Sequence, residues 1–156
     1  MTGLPAIGDI APGFTLPRDG GSEITLADLR PGSVVLYFYP KDDTPGCTLE
    51  AQDFTRLAPA FKEAGCTVIG ISKDSVAAHD KFCRKHGLGI ILASDAEGTV
   101  SEDYGVWGEK KNYGKTYMGI TRTTFLIAGD GRIAQVWPKV KVAGHAEEVL
   151  AAVETL

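Results

Sequence analysis

The chain has 156 residues, of which 44% are apolar and 23% are charged, as in an ordinary soluble globular domain. Its 16 basic and 20 acidic residues give a net charge of −4, which argues against nucleic acid or an anionic membrane as the main partner. Residues 1–5 lack the basic and apolar regions of a secretory signal, and no apolar run approaches the roughly 20 residues of a membrane span. We therefore expect a cytoplasmic protein whose three cysteines are mostly reduced.

The distribution of apolar residues and glycines predicts alternating strands and helices. Residues 1–13 are predicted to form an irregular lead-in, followed by a small hairpin that turns at residues 19–21. Core strands are predicted over residues 33–39, 67–72, 90–92, 123–128 and 133–137. Helices are predicted to begin just before Cys47 and to span residues 75–86, 95–104 and 145–156. This order indicates an α/β fold in one domain, residues 1–156, with a mixed sheet and helices on both faces.

Two segments depart from this regular pattern. Pro59 lies inside the first predicted helix, so we expect either a bend there or two helical pieces. Residues 105–120 are rich in glycine and lysine, which predicts a long surface loop of a kind that often carries function.

The stretch PKDDTPGCT, residues 40–48, joins the first core strand to the first helix. Thr44 is a good N-cap and Pro45 suits the first helical position, which makes Cys47 the third helical residue. There the amide N–H groups lack helical partners, and the helix dipole stabilises a thiolate, the reactive form of cysteine. A free cysteine is often only a small buried hydrophobe, but core packing does not explain this local sequence. We interpret Cys47 as a nucleophile.

The motif Pro40-x-x-x-Thr44-x-x-Cys47 resembles the active-site signature of the peroxiredoxins. It is most similar to the Q subfamily, the bacterioferritin-comigratory-protein type. The similarity continues over residues 105–110 (GVWGEK), 114–117 (GKTY) and 122–127 (RTTFLI), so it covers nearly the whole chain. The resemblance implies a thioredoxin-like fold and a peroxidase that reduces hydrogen peroxide and organic hydroperoxides without a metal or organic cofactor.

Peroxide reduction requires a stabilised thiolate, donors that align the peroxide and charge that stabilises the departing oxygen. Thr44 can offer its hydroxyl to sulfur or peroxide, cap the helix, or do both. Arg122 precedes a strand and is either a solvated arginine or, as the resemblance implies, the guanidinium that contacts thiolate and peroxide. Glu50 lies three residues beyond Cys47, where it is either solvated or able to orient that arginine. Pro40 is expected to shape the pocket and to shield the thiolate from water.

The other two cysteines receive different predictions. Cys66 opens an apolar strand and is expected to be a buried packing residue. Cys83 has basic sequence neighbours that favour an exposed, reactive thiol, although it could share a buried helical stripe with Val76. Many Q-type members carry a resolving cysteine five residues after the nucleophile, but that position here is Gln52. The resemblance therefore favours the variant in which Cys83 forms an intramolecular disulfide with Cys47.

Such a disulfide needs the two Cα atoms within about 7 Å, so both helices are expected to unwind locally when it forms. A thioredoxin-type dithiol would then restore the thiols, as the resemblance implies, and Q-type relatives suggest a monomer. The alternatives are a one-cysteine peroxidase resolved by an external thiol and a peroxide-sensing redox relay protein. A thiol–disulfide oxidoreductase would normally carry a C-x-x-C pair, whereas this chain has Thr44 at the first position.

The histidines receive no functional prediction, and the tryptophans are predicted to be packing residues. No paired short spacing of the kind C-x-x-C or H-x-x-x-H occurs among the three cysteines and the histidines His79, His86 and His145, so no metal is expected. Trp107 and Trp137 follow no cofactor-binding motif.

Overall fold

The computed structural model describes residues 3–156, so the first two residues of the predicted lead-in lie outside the described part. In chain order the strands are β1 (Thr15–Pro17), β2 (Glu23–Thr25), β3 (Ser33–Phe38), β4 (Cys66–Ser72), β5 (Ile91–Ser94), β6 (Trp107–Asn112), β7 (Lys115–Ile120), β8 (Thr123–Ile127) and β9 (Ile133–Trp137). The helices are α1 (Pro45–Glu63), α2 (Val76–His86), α3 (Val100–Asp103) and α4 (His145–Glu154), and a 3₁₀ helix (Leu26–Leu29) precedes β3. No helix within residues 3–156 combines the length and apolarity needed to cross a membrane.

The central sheet is mixed and has the strand order β5-β4-β3-β8-β9. Strands β3, β4 and β5 are parallel, whereas β8 runs antiparallel to β3 and β9 antiparallel to β8. Strand β3 is a continuous apolar and aromatic run because both faces of the sheet are covered. The predicted α/β fold with a mixed sheet is confirmed, and so is the N-terminal hairpin, formed by β1 and β2.

Successive side chains of β3 point into two separate apolar layers. Val34, Leu36 and Phe38 pack with the N-terminal hairpin, the 3₁₀ helix and α3. The opposite layer contains Val35 and Tyr37 and is covered by α1, α2 and α4. Cys47, in the first turn of α1, packs in this second layer together with its aromatic residues.

The prediction of a long loop over residues 105–120 is wrong. Strands β6 and β7 form an antiparallel hairpin there, with Asn112 paired to Lys115. The turn between them has φ of 53° at Tyr113 and 75° at Gly114, the pattern of a type I′ turn. Most side chains of the hairpin are exposed on both faces, so its strands lack the apolar alternation by which strands are recognised.

Two helices also differ from their predicted extents. The helix expected over residues 95–104 is confined to α3, because the Asp95 carboxylate accepts hydrogen bonds from the amides of Val100 and Ser101 and so starts the helix there. Helix α1 continues through Pro59 to Glu63, so the expectation of two helical pieces is wrong.

The antiparallel pairing of β3 with β8 determines where the site forms. Phe38, the last residue of β3, pairs with Thr123, the first residue of β8. The loop that leaves β3 and the residues that enter β8 therefore meet at the same edge of the sheet. This edge brings the segment containing Cys47 next to Arg122.

Candidate active site

Cys47 occupies the first turn of α1 and is only 1% exposed. Thr44 is the N-cap, with extended backbone angles of −96° and 156°, and Pro45 is the first helical residue, as predicted. The Thr44 hydroxyl does not cap the helix, contrary to one of its predicted roles. Instead it donates a 2.9 Å hydrogen bond to the carbonyl of Lys41, which closes the turn before α1. The sulfur is thus held in the first turn of the helix, where backbone amides lack helical partners.

Arg122 divides its guanidinium between two groups of α1. Its Nη2 donates to Cys47 Sγ at 3.2 Å, and its Nη1 donates to Glu50 Oε1 at 2.6 Å. A Cβ added at Gly46 would lie 3.2 Å from Nη2, so the glycine leaves room for the guanidinium to approach the sulfur. The Val140 amide donates to the carbonyl of Arg122, which fixes the backbone of the arginine. The structure therefore brings Cys47, Glu50 and Arg122 together.

Glu50 is an unusual carboxylate because it is almost completely buried. Burial raises its pKa to about 7, although the charge of Arg122 and its hydrogen bond oppose this change. Burial also disfavours the charge of Arg122, but Glu50 and Cys47 outweigh this effect and raise the pKa of the guanidinium. Arg122 therefore provides a fixed positive charge between the sulfur and the carboxylate.

Two further titratable groups, Lys110 and His145, lie close enough to Arg122 for its charge to affect their pKa values. Lys110 of β6 donates to the carbonyl of Ile120 at 2.7 Å, and burial together with the charge of Arg122 lowers its pKa. His145 forms a 2.8 Å hydrogen bond with the Thr124 hydroxyl, and burial and the Arg122 charge lower its pKa to about 4. Lys110 was not identified from the sequence as a neighbour of the site because its segment was predicted to be a loop.

Pro40 is exposed at the start of the loop before α1.

Cys83 is half-buried on α2 and packs against the same apolar layer as Cys47. Burial raises its pKa to about 11, and the charges of Asp19, Asp42 and Asp80 act in the same direction. Cys83 is therefore less exposed than one of its two predictions expected, and the charges that raise its pKa come from carboxylates rather than from its basic sequence neighbours. Val76 is also half-buried, in agreement with the alternative of a shared helical stripe.

All three cysteines are free, so the structure represents the reduced form with both helices intact. Cys66 is 6% exposed, and burial raises its pKa. This confirms the prediction that Cys66 is a packing residue. Within residues 3–156, no group of three His, Cys, Asp or Glu side chains is arranged to hold a metal ion.

The loop between β3 and α1 is bonded to α2 by contacts that the sequence did not reveal. Asp42 Oδ2 lies 2.6 Å from Nδ1 of the buried His79. Asp43 contacts both Lys85 and His86 near the end of the same helix. No functional role was predicted for His79 and His86, but in the structure they connect the cysteine-bearing loop to the helix that carries Cys83.

Comparison with known proteins identifies a family whose model matches this chain and several similar sequences. A model of the AhpC/TSA family matches residues 7–136. A putative peroxiredoxin bcp from Coxiella burnetii is 54% identical over 144 residues, covering 92% of this chain and 95% of the relative. A peroxiredoxin Bcp from Bacillus subtilis is 48% identical over 144 residues, 92% of either chain.

Two solved structures are similar over almost their full lengths. A mutant of Xylella fastidiosa PrxQ superposes with a TM-score of 0.92 at 40% identity, covering 99% of this chain and 98% of the other. A Xanthomonas campestris bacterioferritin comigratory protein, solved as a trapped intermediate/ligand complex to study alkyl peroxide reduction, gives a TM-score of 0.88 at 42% identity. That comparison also covers 99% of this chain and 98% of the other.

Proposed function

The chain belongs to the AhpC/TSA family as a peroxiredoxin of the Q type, and we propose that it reduces peroxides through the thiolate of Cys47. The chain is a thiol peroxidase, and its substrates are hydrogen peroxide and organic hydroperoxides. The observation that carries the assignment of Cys47 is the 3.2 Å hydrogen bond from Arg122 to its sulfur, made at the N-terminus of α1. A buried sulfur with a fixed cation and free helix amides is suited to act as an anionic nucleophile.

In the first step the Cys47 thiolate attacks one peroxide oxygen and the O–O bond breaks. The departing oxygen leaves with the bonding electron pair, takes a proton and becomes water or an alcohol, while Cys47 becomes a sulfenic acid. Arg122 stabilises the negative charge as it moves from sulfur to the departing oxygen. Glu50 holds the guanidinium in position through its second nitrogen. In this proposal Pro40, which is exposed at the start of the loop, shapes the approach to the sulfur.

Thr44 contributes through the lone pairs of its hydroxyl oxygen. Because the hydroxyl proton is donated to the Lys41 carbonyl, the oxygen is free to accept a hydrogen bond from the peroxide O–H. Such a bond would orient the peroxide so that its O–O bond lines up with the sulfur.

In the second step the Cys83 sulfur attacks the Cys47 sulfenic acid, forming the Cys47–Cys83 disulfide and releasing water. A thioredoxin-type dithiol then reduces this disulfide and becomes oxidised itself. Cys47 and Cys83 lie unbonded on two intact helices and burial raises the pKa of Cys83 to about 11, so in this proposal α2 opens locally before Cys83 attacks. The same value favours a second candidate, a one-cysteine peroxidase in which an external thiol attacks the sulfenic acid. We also propose that the protein is a monomer with a single domain and that it acts in the cytoplasm.

The test is the intact mass of reduced protein after one equivalent of hydrogen peroxide, followed by peptide mapping. We expect wild type to lose two hydrogens, mapped to a Cys47–Cys83 bond, and Cys83→Ser to stop at oxidised Cys47. Cys66→Ala is the matched control and should behave like wild type. If wild type adds oxygen at Cys47 while Cys83 stays free, the resolving thiol is external. If Cys47 does not react at all, the proposed function is wrong.

A further inference from the structure

Helix α2 presents three functional side chains along one face. His79, Cys83 and His86 follow one another at intervals of four and three residues, so they share a single stripe of the helix. The two histidines of this stripe bond to Asp42 and Asp43 of the loop before α1. Cys83 therefore lies between the two points at which α2 is attached to that loop.

The inner attachment is buried. Asp42 is 9% exposed, and its Oδ1 accepts a 2.6 Å hydrogen bond from the Tyr39 hydroxyl while its Oδ2 faces His79 Nδ1. His79 Nε2 lies 3.0 Å from the carbonyl of Ala93, so both ring nitrogens face acceptors. Burial of the charged ring lowers the pKa of His79, but the hydrogen bond and charge of Asp42, the carbonyl of Ala93 and the charge of Asp74 outweigh burial and raise it. This attachment fixes the loop to the N-terminal half of α2.

The outer attachment is open to solvent. Asp43 has φ of 60°, and its two carboxylate oxygens lie 2.7 Å from Lys85 Nζ and 2.8 Å from His86 Nε2. Through these two contacts the Asp43 carboxylate joins the loop to the last turn of α2. Together the contacts of Asp42 and Asp43 with His79, Lys85 and His86 form what we call the loop clamp.

We propose that Asp43, Lys85 and His86 are positioning residues of the loop clamp that control how often Cys83 reaches oxidised Cys47. The proposal rests on the proposed two-cysteine function. The C-terminal turn of α2 cannot move away from the loop before the contacts of Asp43 break. These contacts therefore slow disulfide formation, but they leave the first step unchanged because Arg122 and Glu50 hold the sulfur independently.

The direct test uses Asp43→Asn, because asparagine tolerates the positive φ at this position and keeps the backbone in place. Quenched-flow mass spectrometry would follow sulfenic acid and disulfide separately after a pulse of peroxide. We expect disulfide formation to become severalfold faster, while the rate of sulfenic acid formation stays within about twofold of wild type. We also expect less over-oxidation of Cys47 at high peroxide, since the sulfenic acid is consumed sooner.

Three comparisons separate the loop clamp from a general effect of surface charge. Glu147→Gln removes the exposed 2.6 Å contact with Arg56 between α4 and α1, and this matched control should leave disulfide formation unchanged. Lys85→Gln should also accelerate disulfide formation, and the double variant with Asp43→Asn should be less than additive because both changes break one contact. Added salt should accelerate wild type but have a smaller effect on Asp43→Asn, because salt screens an exposed ion pair.

The outcomes distinguish this proposal from the function on which it rests. If the Cys47–Cys83 disulfide forms at the same rate in wild type and Asp43→Asn at every salt concentration, the loop clamp does not control resolution, although the peroxidase assignment stands. If wild type forms no such disulfide, the two-cysteine function fails and this proposal fails with it. A slower first step in Asp43→Asn, with unchanged resolution, would also overturn the proposal.

Discussion

Arg122 is the residue on which the chemistry of the site depends. One nitrogen of its guanidinium contacts the Cys47 sulfur, and another contacts the Glu50 carboxylate. A lysine would carry the same charge, but its ammonium is a compact point charge that lacks the planar fork needed to reach both groups in fixed positions.

We therefore expect Arg122→Lys to lower the second-order rate constant for peroxide by about 100-fold, because a positioned donor to the developing charge is lost. Stopped-flow measurement of sulfenic acid formation checks this value. Arg56→Lys on the exposed surface of α1 is the control and should react like wild type. A loss of less than tenfold in Arg122→Lys would show that positive charge alone is sufficient.

The buried carboxyl of Glu50 couples stability to pH. Burial raises its pKa from 4.5 to about 7, so ionisation favours the unfolded chain, in which the group is solvated. Its stabilising contribution is present below pH 4.5 and is lost as the pH rises through about 7. His145 contributes in the opposite direction, because its lowered pKa makes protonation at low pH destabilising.

A comparison with Glu50→Gln isolates the effect of the carboxyl, since both proteins retain the same histidines. The free energy of unfolding of wild type relative to Glu50→Gln should fall by about 1–3 kcal/mol between pH 5 and pH 8. Urea unfolding of the reduced proteins at several pH values measures this difference. A difference that is constant across this range would mean that Glu50 keeps an ordinary pKa.

Among the elements, the β6–β7 hairpin contains a residue that is poorly suited to its backbone. Tyr113 has φ of 53° and is 97% exposed, so its side chain gains little packing in return for an unfavourable conformation. Asparagine followed by glycine is the favoured pair for a type I′ turn.

Tyr113→Asn should therefore raise the free energy of unfolding by about 0.5–1 kcal/mol, measured by urea denaturation. Gly114→Ala, at φ of 75°, should have the opposite sign because alanine is strained there. If Tyr113→Asn destabilised the protein, the tyrosine would have to make a contact that the exposed position does not suggest.

The elements that could be predicted are those whose signals are local. Thr44 and Pro45 predict the start of α1 because capping depends on adjacent residues, and the buried strands follow from their apolar runs. The charges around Cys83 could not be predicted, since Asp19 and Asp42 approach its sulfur only through tertiary packing. The same holds for the contact of His79 with Asp42, which joins residues 37 positions apart.

For the whole molecule, close packing at the centre of the sheet limits which residues are tolerated. Gly70 lies on β4 between β3 and β5, and a Cβ added there would fall 2.6 Å from the Tyr37 ring and 2.9 Å from Leu92. Tyr37 is fully buried, so it has no free space into which it could move.

We expect Gly70→Ala to destabilise the protein by about 1–3 kcal/mol through overpacking, seen as a lower melting temperature. Gly108→Ala provides the matched control, because a Cβ at that position of β6 would meet no atom within 4 Å. Equal melting temperatures for the two variants would show that the core can rearrange around Tyr37.

The position of β8 late in the chain also determines the order in which the site residues are synthesised on the ribosome. Cys47 precedes Arg122 by 75 residues, so a ribosome adding roughly 5–20 residues per second completes the thiol about 4–15 s before the guanidinium. During that interval the emerging chain carries an ordinary cysteine that lacks its cation. The contact between Arg122 and Cys47 can form only after β8 has paired with β3, so the cation reaches the thiol once the sheet around it has formed.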